Sequence, residues 1–234
     1  MNVIYDEAAI KDLAPYLKAV SAYPNPPTGP DGPIKWASVI EAITALDETK
    51  KHLSRPRSVL DIGAGNGALP IMLADLSGLH VTCVDNRDVH PAVKTHPYIE
   101  WCIKDAFEYL ESLPDSSLDY AVDSCAVIHF DTSKDGGFSG NRGLRRISEL
   151  LAKKLKIGGK FIIVTDFAHW DKDKDMFCGE FICAEYILRT VNYSNLKLIG
   201  KVPEVPKNAF TQEYSTYKLG IVRYVFERAS PDGK

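Results

Sequence analysis

The chain has 234 residues, 45% of them hydrophobic and 25% charged, the profile of an ordinary globular chain with enough apolar surface for one large core. A formal net charge of -3 excludes a global basic field that would draw in nucleic acid or anionic membrane. The opening MNVIYDEAAIKDLAPYL carries acids early and no apolar core, and no apolar run approaches the roughly 20 residues that span a bilayer, so neither leader nor membrane anchor is expected.

Taken in chain order, residues 5–20 and 33–52 read as helices, separated by the proline- and glycine-rich SAYPNPPTGPDGP. A strand over 58–62 (SVLDI), a helix over 67–77 and a strand over 80–85 (HVTCVD) follow. A helix or loop near 88–95 leads to a strand over 99–103, a helix over 105–111 and a strand over 118–124 (LDYAVDS). Next comes a helix over 140–155, with Leu144, Ile147, Leu151 and Leu155 on one face and Gly158-Gly159 as its stop. A strand over 160–166 (KFIIVTD) and a helix over 178–190 complete the alternating part. Short apolar strands alternating with helices imply a parallel sheet covered on both faces. Residues 196–202 and 217–227 then read as two strands with no helix between them, an antiparallel hairpin with 203–216 as the loop at its tip. The expected fold is therefore α/β, a doubly wound, mostly parallel seven-stranded sheet ending in an antiparallel hairpin, with an N-terminal helical extension. The five cysteines, Cys83, Cys102, Cys125, Cys178 and Cys183, are odd in number and lack zinc-ligand spacing, which suits a reducing, cytoplasmic setting.

The stretch VLDIGAGNGALP, from Val59 to Pro70, carries the chemistry. Glycines permit a tight turn from strand to helix, and their missing β-carbons let a ligand lie against the backbone. Gly63, Ala64, Gly65 and the residues that follow satisfy both G-x-G-x-x-G/A and G-x-G-x-G, so the loop alone admits NAD, FAD or S-adenosylmethionine. Asp61, two positions ahead of Gly63, discriminates: a pyrophosphate gains nothing from a carboxylate there, whereas a ligand with an ammonium and a sulfonium does. Asp85, with Asn86 behind it, ends the second of these strands about 20 residues past the loop, where a carboxylate accepts from ribose hydroxyls of any of these cofactors. Asp105-Ala106 follows the third; Asp105 either accepts from an adenine amino group, with the Ala106 N–H donating to the ring, or caps the helix behind it.

At this point the chain resembles the class I S-adenosylmethionine-dependent methyltransferases, closely over residues 58–166. VLDIGAGNG matches that family's glycine-rich motif, Asp85 its ribose-binding acid and KDAFEYL its adenine-contacting segment. LDYAVDSCAVIHF is similar to its fourth-strand motif, and LKIGGKFIIV to the segment entering its fifth strand, with Ile157 where proline is usual. The resemblance implies S-adenosyl-L-methionine as cofactor, held by Asp61, Gly63, Ala64, Gly65, Asp85, Asn86, Asp105, Ala106 and Ser124. It also implies a methyltransferase domain over 58–234, with 1–57 as a helical cap belonging to the same domain.

Methyl transfer needs alignment in a dry pocket and, for a hydroxyl or ammonium nucleophile, a base near the methyl. His129 matches the family's histidine after the fourth strand and stands either as that base or as a structural residue shaping the pocket. Asp166 and His169, at the end of the fifth strand and just beyond it, are further candidates to touch substrate. The acid-rich DFAHWDKDKD (166–175) matches no calcium loop, and no metal is expected. Asp123-Ser-Cys-Ala is not the Asn/Asp-Pro-Pro-Tyr of base- or glutamine-methylating enzymes, and Cys125 lacks the preceding proline of cytosine-C5 enzymes. Arg142, Arg145, Arg146, Lys153 and Lys154 form the solvated side of an amphipathic helix, so a nucleic-acid partner is not favoured. What remains is a small-molecule substrate enclosed by the segment through Trp36 and the loop 203–216, with Tyr23, Trp36, Phe210, Tyr214 and Tyr217 as ring-stacking or sealing residues. A faint similarity to bacterial methyltransferases of glycan biosynthesis points to O-methylation of a sugar-like or hydroxylated metabolite. N-methylation of a small amine, RNA methylation and a non-catalytic nucleotide-binding module stand as alternatives, and the oligomeric state is left open.

Overall fold

The computed structural model describes residues 2–23, 31–48, 57–65, 68–88, 91–130, 140–169, 177–178, 181–182, 184–203, 210–213 and 218–230. Its elements run β1 (Val3–Ile4), α1 (Glu7–Asp12), α2 (Ala14–Ala22), α3 (Gly32–Glu48), β2 (Ser58–Ile62), α4 (Ala68–Ser77), β3 (His80–Asp85), α5 (Pro91–Lys94), β4 (Ile99–Ile103), α6 (Ala106–Ser112) and β5 (Leu118–Ser124). A single 3-10 turn (Val127–His129), α7 (Gly140–Lys154), β6 (Leu155–His169), β7 (Phe177–Cys178), β8 (Phe181–Ile182), α8 (Ala184–Asn192), β9 (Leu196–Leu198), β10 (Phe210–Glu213) and β11 (Lys218–Arg228) follow.

The main sheet has the order β1-β11-β6-β5-β2-β3-β4, with β9 and β10 also pairing β11. Strands β4, β3, β2, β5 and β6 are mutually parallel, and β11 runs antiparallel to β6. Both faces are buried, and β6 shows how: Phe161 and Ile163 join the core under α6, α7 and α8, while Ile162 and Val164 join the core under α3 and α4. That alternation is the period of a strand, here apolar at both phases because helices lie on both sides. Leu144, Ile147, Leu151 and Leu155 are all fully buried, so the stripe read along α7 is its core face. The α/β fold, the five parallel strands and the antiparallel ending stand as read from the sequence.

Four local expectations are corrected. The first helix is preceded by β1 and broken at Leu13; Asp6 caps α1 by accepting from Ala9 N–H at 2.9 Å, and Pro15, with no N–H to lose, sits in the first turn of α2. The Gly158-Gly159 pair does not stop α7, which ends at Lys154; it lies in an irregular entry to β6, where the register shifts between Leu118 and Tyr120. A β-carbon on Gly159 would stand 2.8 Å from the Lys156 carbonyl and 3.1 Å from the Asp119 carbonyl, so the close approach of two backbones requires glycine there. The helix read over 178–190 begins only at Ala184, because Phe177–Cys178 and Phe181–Ile182 pair instead as a two-stranded ladder. Finally, β11 does not share its outer edge with one partner. Its residues Lys218–Gly220 pair β10, Val222–Arg223 pair β1, and Phe226–Arg228 pair β9, so part of the expected loop 203–216 is strand.

Candidate active site

A cavity of about 470 Å³ opens at the carboxyl ends of the parallel strands, the place where open α/β sheets hold ligands. Its wall brings together Gly63 and Gly65 from the loop after β2, Asp85 and Asn86 from the end of β3, and Asp105 and Ala106 after β4. Ser124 and His129 complete it from the end of β5. Seven of the nine residues expected at a cofactor, and the leading candidate base, thus share one space. Asp61 and Ala64 are not on the wall, and neither is Asp166.

The loop is built from backbone. Gly63 and Gly65 have φ of 69° and 58°, the left-handed region that favours glycine. The Gly63 N–H donates to the Val84 carbonyl at 2.8 Å, and a β-carbon at Gly63 would overlap the Ala126 side chain. A β-carbon at Gly65 would meet nothing within 4 Å among the described residues: this glycine lines the cavity. Asp85 organises the loop, its Oδ2 accepting from Gly65 N–H and its Oδ1 from Arg87 N–H, each at 2.9 Å. Asp105 caps α6, with Oδ1 accepting from Phe107 N–H at 2.8 Å and Glu108 N–H at 3.2 Å, while the residue also lines the cavity. Its capping role is therefore present whatever else it binds.

His129 is placed by a turn that the sequence did not single out. Asp123 accepts at Oδ1 from Ala126 N–H (2.8 Å) and Val127 N–H (3.1 Å), and Cys125 takes a φ of 63°. The 3-10 turn so capped carries His129 to the cavity wall beside Phe130, whose ring meets Phe107 edge-on at 6.0 Å.

Below the wall lie buried charges. Asp61 and Asp123 are almost completely enclosed, and neither Oδ2 has a hydrogen-bond partner among the described residues. Burial, with Asp123 and Asp85 nearby, pushes the Asp61 carboxyl up to about 8. Burial likewise pushes Asp123 up to about 7, against the pull of the Ala126 and Val127 N–H groups and of Lys35. On the β6 side Lys35 of α3 donates to Asp166 Oδ2 at 2.7 Å. The Cys125 thiol shares that oxygen at 3.2 Å, and Asp166 Oδ1 is buried without a partner among the described residues. Burial opposes the Lys35 charge, but Cys125 and Asp166 outweigh it and raise the ammonium's pKa. Burial raises the Cys125 thiol to about 11, so it stays protonated and packs rather than attacks.

His169 ends β6 opposite Lys218, and its side chain lies outside the described residues, as do Tyr214, Tyr217, the Phe210 ring and most of the acid-rich run 166–175. Tyr23 is engaged elsewhere, donating to Asp75 at 2.8 Å, and Trp36 packs against the core under α3 and α4. On α7 Arg145 pairs with Glu149, Arg146 with Glu111 and over the Phe107 ring, and Lys154, buried rather than on the solvated side, with Asp115. Among the described residues no helix is long and apolar enough to cross a membrane, and no three His, Cys, Asp or Glu are grouped to hold a metal. Sequence reasoning missed Lys35 and the structural part played by Asp123. The only signal for Asp123 was an acid interrupting an apolar strand; nothing local marks Lys35, whose partner lies 131 residues away.

No family model matches the chain, and no curated protein matches it by sequence. Solved structures do match in shape. A candidate sarcosine dimethylglycine methyltransferase from Galdieria sulphuraria superposes with a TM-score of 0.58 at 14% identity, over 85% of this chain and 87% of that one. Phosphoethanolamine N-methyltransferase 2 from Haemonchus contortus, solved with S-adenosyl-L-methionine, gives 0.55 at 16% identity over 81% of this chain, which spans 53% of that longer one. Geranyl diphosphate C-methyltransferase from Streptomyces coelicolor A3(2), solved with Mg2+, geranyl diphosphate and S-adenosyl-L-homocysteine, gives 0.53 at 11% identity over 93% and 98% of the two chains. With these superpositions and its strand order, the chain has the Rossmann-like fold of the class I S-adenosylmethionine-dependent methyltransferases.

Proposed function

We propose that this protein is an S-adenosyl-L-methionine-dependent methyltransferase acting on a small molecule, with residues 1–57 as a helical cap on the domain formed by 58–234. The observation that carries the reading is the cavity: a glycine loop with open space over Gly65, an acid at the end of β3 and a histidine at the end of β5, on the fold that such enzymes share. The residues fit the cofactor's chemistry. Gly65 presents bare backbone to the cavity with Gly63 and Ala64 shaping the loop before it, Asp85 retains lone pairs for ribose hydroxyls, and Asp105 and Ala106 border the place for an adenine. Asn86 and Ser124 add polar groups to the wall, and the carboxyl of Asp61 lies buried beneath the loop as a complement to positive charge. When bound, S-adenosyl-L-methionine supplies a methyl group activated on a sulfonium.

The finer reading is O-methylation of a hydroxylated, sugar-like metabolite. His129 accepts the proton that the substrate hydroxyl loses, and Asp166, with His169 beyond it, lies on the β6 side, where the substrate is held. The neighbours named for sarcosine and phosphoethanolamine favour a second reading, N-methylation of a small amine. Three measurements test these statements. Calorimetry with S-adenosylmethionine, S-adenosylhomocysteine and NAD should give heat for the first two alone; heat for NAD alone overturns the reading. Labelled-methyl transfer to panels of sugars, other alcohols and amines separates hydroxyl from amine acceptors. On the substrate so found, His129→Ala should lower the rate by roughly 10²–10⁴-fold while cofactor affinity holds. A variant that loses stability but keeps its rate assigns His129 to structure alone.

A further inference from the structure

One side of the cavity, from Ser124 through Cys125 and Ala126 to His129 and Phe130, is the single turn that follows β5. Cys125 has a φ of 63° there, which a residue with a β-carbon keeps only where its surroundings hold it. Two acids hold this turn from opposite faces of the sheet. Asp123 pairs with Ile163, on the face under α7, and accepts from the Ala126 and Val127 N–H groups. Asp166, in phase with Ile162 and Val164 on the α3 face, accepts from the Cys125 thiol at 3.2 Å. Thr165 donates to the same sulfur at 3.6 Å. The turn also bears on the glycine loop: a β-carbon at Gly63 would overlap that of Ala126, so the two walls of the cavity touch.

Asp166 is itself anchored from outside the sheet. Lys35, in the first turn of α3, donates at 2.7 Å to Oδ2, the same oxygen that takes the thiol. Both side chains are largely buried, and neither lines the cavity. Apolar residues of similar size can match such a pair in stability, but not in direction. One oxygen accepting two donors fixes the thiol relative to the cap helix. A continuous run of contacts thus joins α3 to the ligand space: Lys35 to Asp166, Asp166 to Cys125, and Ala126 to Gly63. We propose that Lys35 is a positioning residue: acting through Asp166 and Cys125, it holds the turn that carries His129 in the shape that receives the adenosyl ligand. The identity of that ligand rests on the methyltransferase reading; the hold on the turn does not.

The test replaces the pair while keeping the full chain folded. Lys35→Met together with Asp166→Leu fills the place with apolar side chains, and the denaturation midpoint checks its stability. In the ligand-free protein, hydrogen exchange at the Ala126 and Val127 amides should quicken about tenfold or more relative to the buried amides of α7. Cys125→Ala alone cuts the same link without touching the pair and should quicken the two amides likewise. S-adenosylhomocysteine affinity, measured by calorimetry, should fall roughly tenfold in the double variant. Lys35→Arg, which keeps the charge and a donor, should leave exchange and affinity close to native. In a Cys125→Ala background the paired substitution should cost little further affinity, because the thiol that transmits it is gone. Native exchange at both amides in the double variant and in Cys125→Ala overturns the proposal, as does an undiminished affinity loss in the Cys125→Ala background. If the amides quicken but the native protein binds no adenosyl ligand, Lys35 still positions the turn and the methyltransferase reading falls alone.

Discussion

The two halves of the strand-end surface solve the same problem by different means. At the ends of β2 and β3 the chain exposes backbone: two left-handed glycines, and one acid, Asp85, whose two oxygens each accept an N–H. At the ends of β5 and β6 it buries side chains: the Lys35–Asp166 pair with the Cys125 thiol, and beside it the Asp123 carboxyl, whose Oδ2 has no partner among the described residues. A half whose backbone donors gather on one acid suits a ligand that must be gripped in one pose. The other half depends on charge balance, and its stability and affinities should move when any one group is removed. Variants on the two sides should therefore fail differently.

Lys35→Met should show the largest effect on stability. Removing one partner leaves Asp166 buried and unpaired, a loss of about 3–5 kcal/mol, read as a lower denaturation midpoint. Adding Asp166→Leu should restore most of it; native-like stability of the single variant would erase the contrast between the halves. On the backbone side, Gly65→Val should act on binding rather than packing. Its β-carbon enters open cavity at a φ of 58°, so folding should suffer by only about 1–2 kcal/mol, while adenosyl-ligand affinity drops by roughly 100-fold or more. Undiminished binding there would show that the ligand does not lie over the loop.

Asp85→Ala should weaken cofactor binding by about 1–3 kcal/mol, since ribose hydroxyls and the Gly65 N–H lose a charged acceptor. An unchanged dissociation constant would move the ribose elsewhere. The smallest effect is the slope of stability with pH. The folded pKa values of Asp61 and Asp123 lie above their unfolded values, so the fold favours their protonated forms. Their contribution is complete below about pH 4 and is lost as pH rises through about 7 to 8, at roughly 1 kcal/mol per pH unit. The ligand-free midpoint should thus fall between pH 5.5 and 8, and Asp61→Asn should flatten that fall. A midpoint that rises over this range would mean that the two acids are ionised throughout.

Local pattern was enough for the central layer of this protein. The strands over 58–62, 80–85, 99–103 and 118–124 lie where alternation and branched residues placed them; all but the half-exposed edge strand 99–103 are buried on both faces, and such a strand writes its apolar run directly into the chain. The glycine loop and Asp85 were legible for a similar reason: a left-handed turn needs glycine, and the acid that organises it stands at the end of the neighbouring strand. Distant partners had no such trace. Whether Val3–Ile4, Phe210–Glu213 or Leu196–Leu198 pairs β11 at a given point depends on where the chain returns in space, and each is too short to announce itself. The FCGEFIC run suits helix or hairpin equally by composition until a pairing strand is available. Lys35 looks like any polar residue of an amphipathic helix until α3 crosses the end of β6 and meets Asp166. The chemistry written in single residues and short spacings was determined by the sequence; the charges those residues face were decided only by the tertiary fold, because burial and nearest neighbours belong to the folded chain alone.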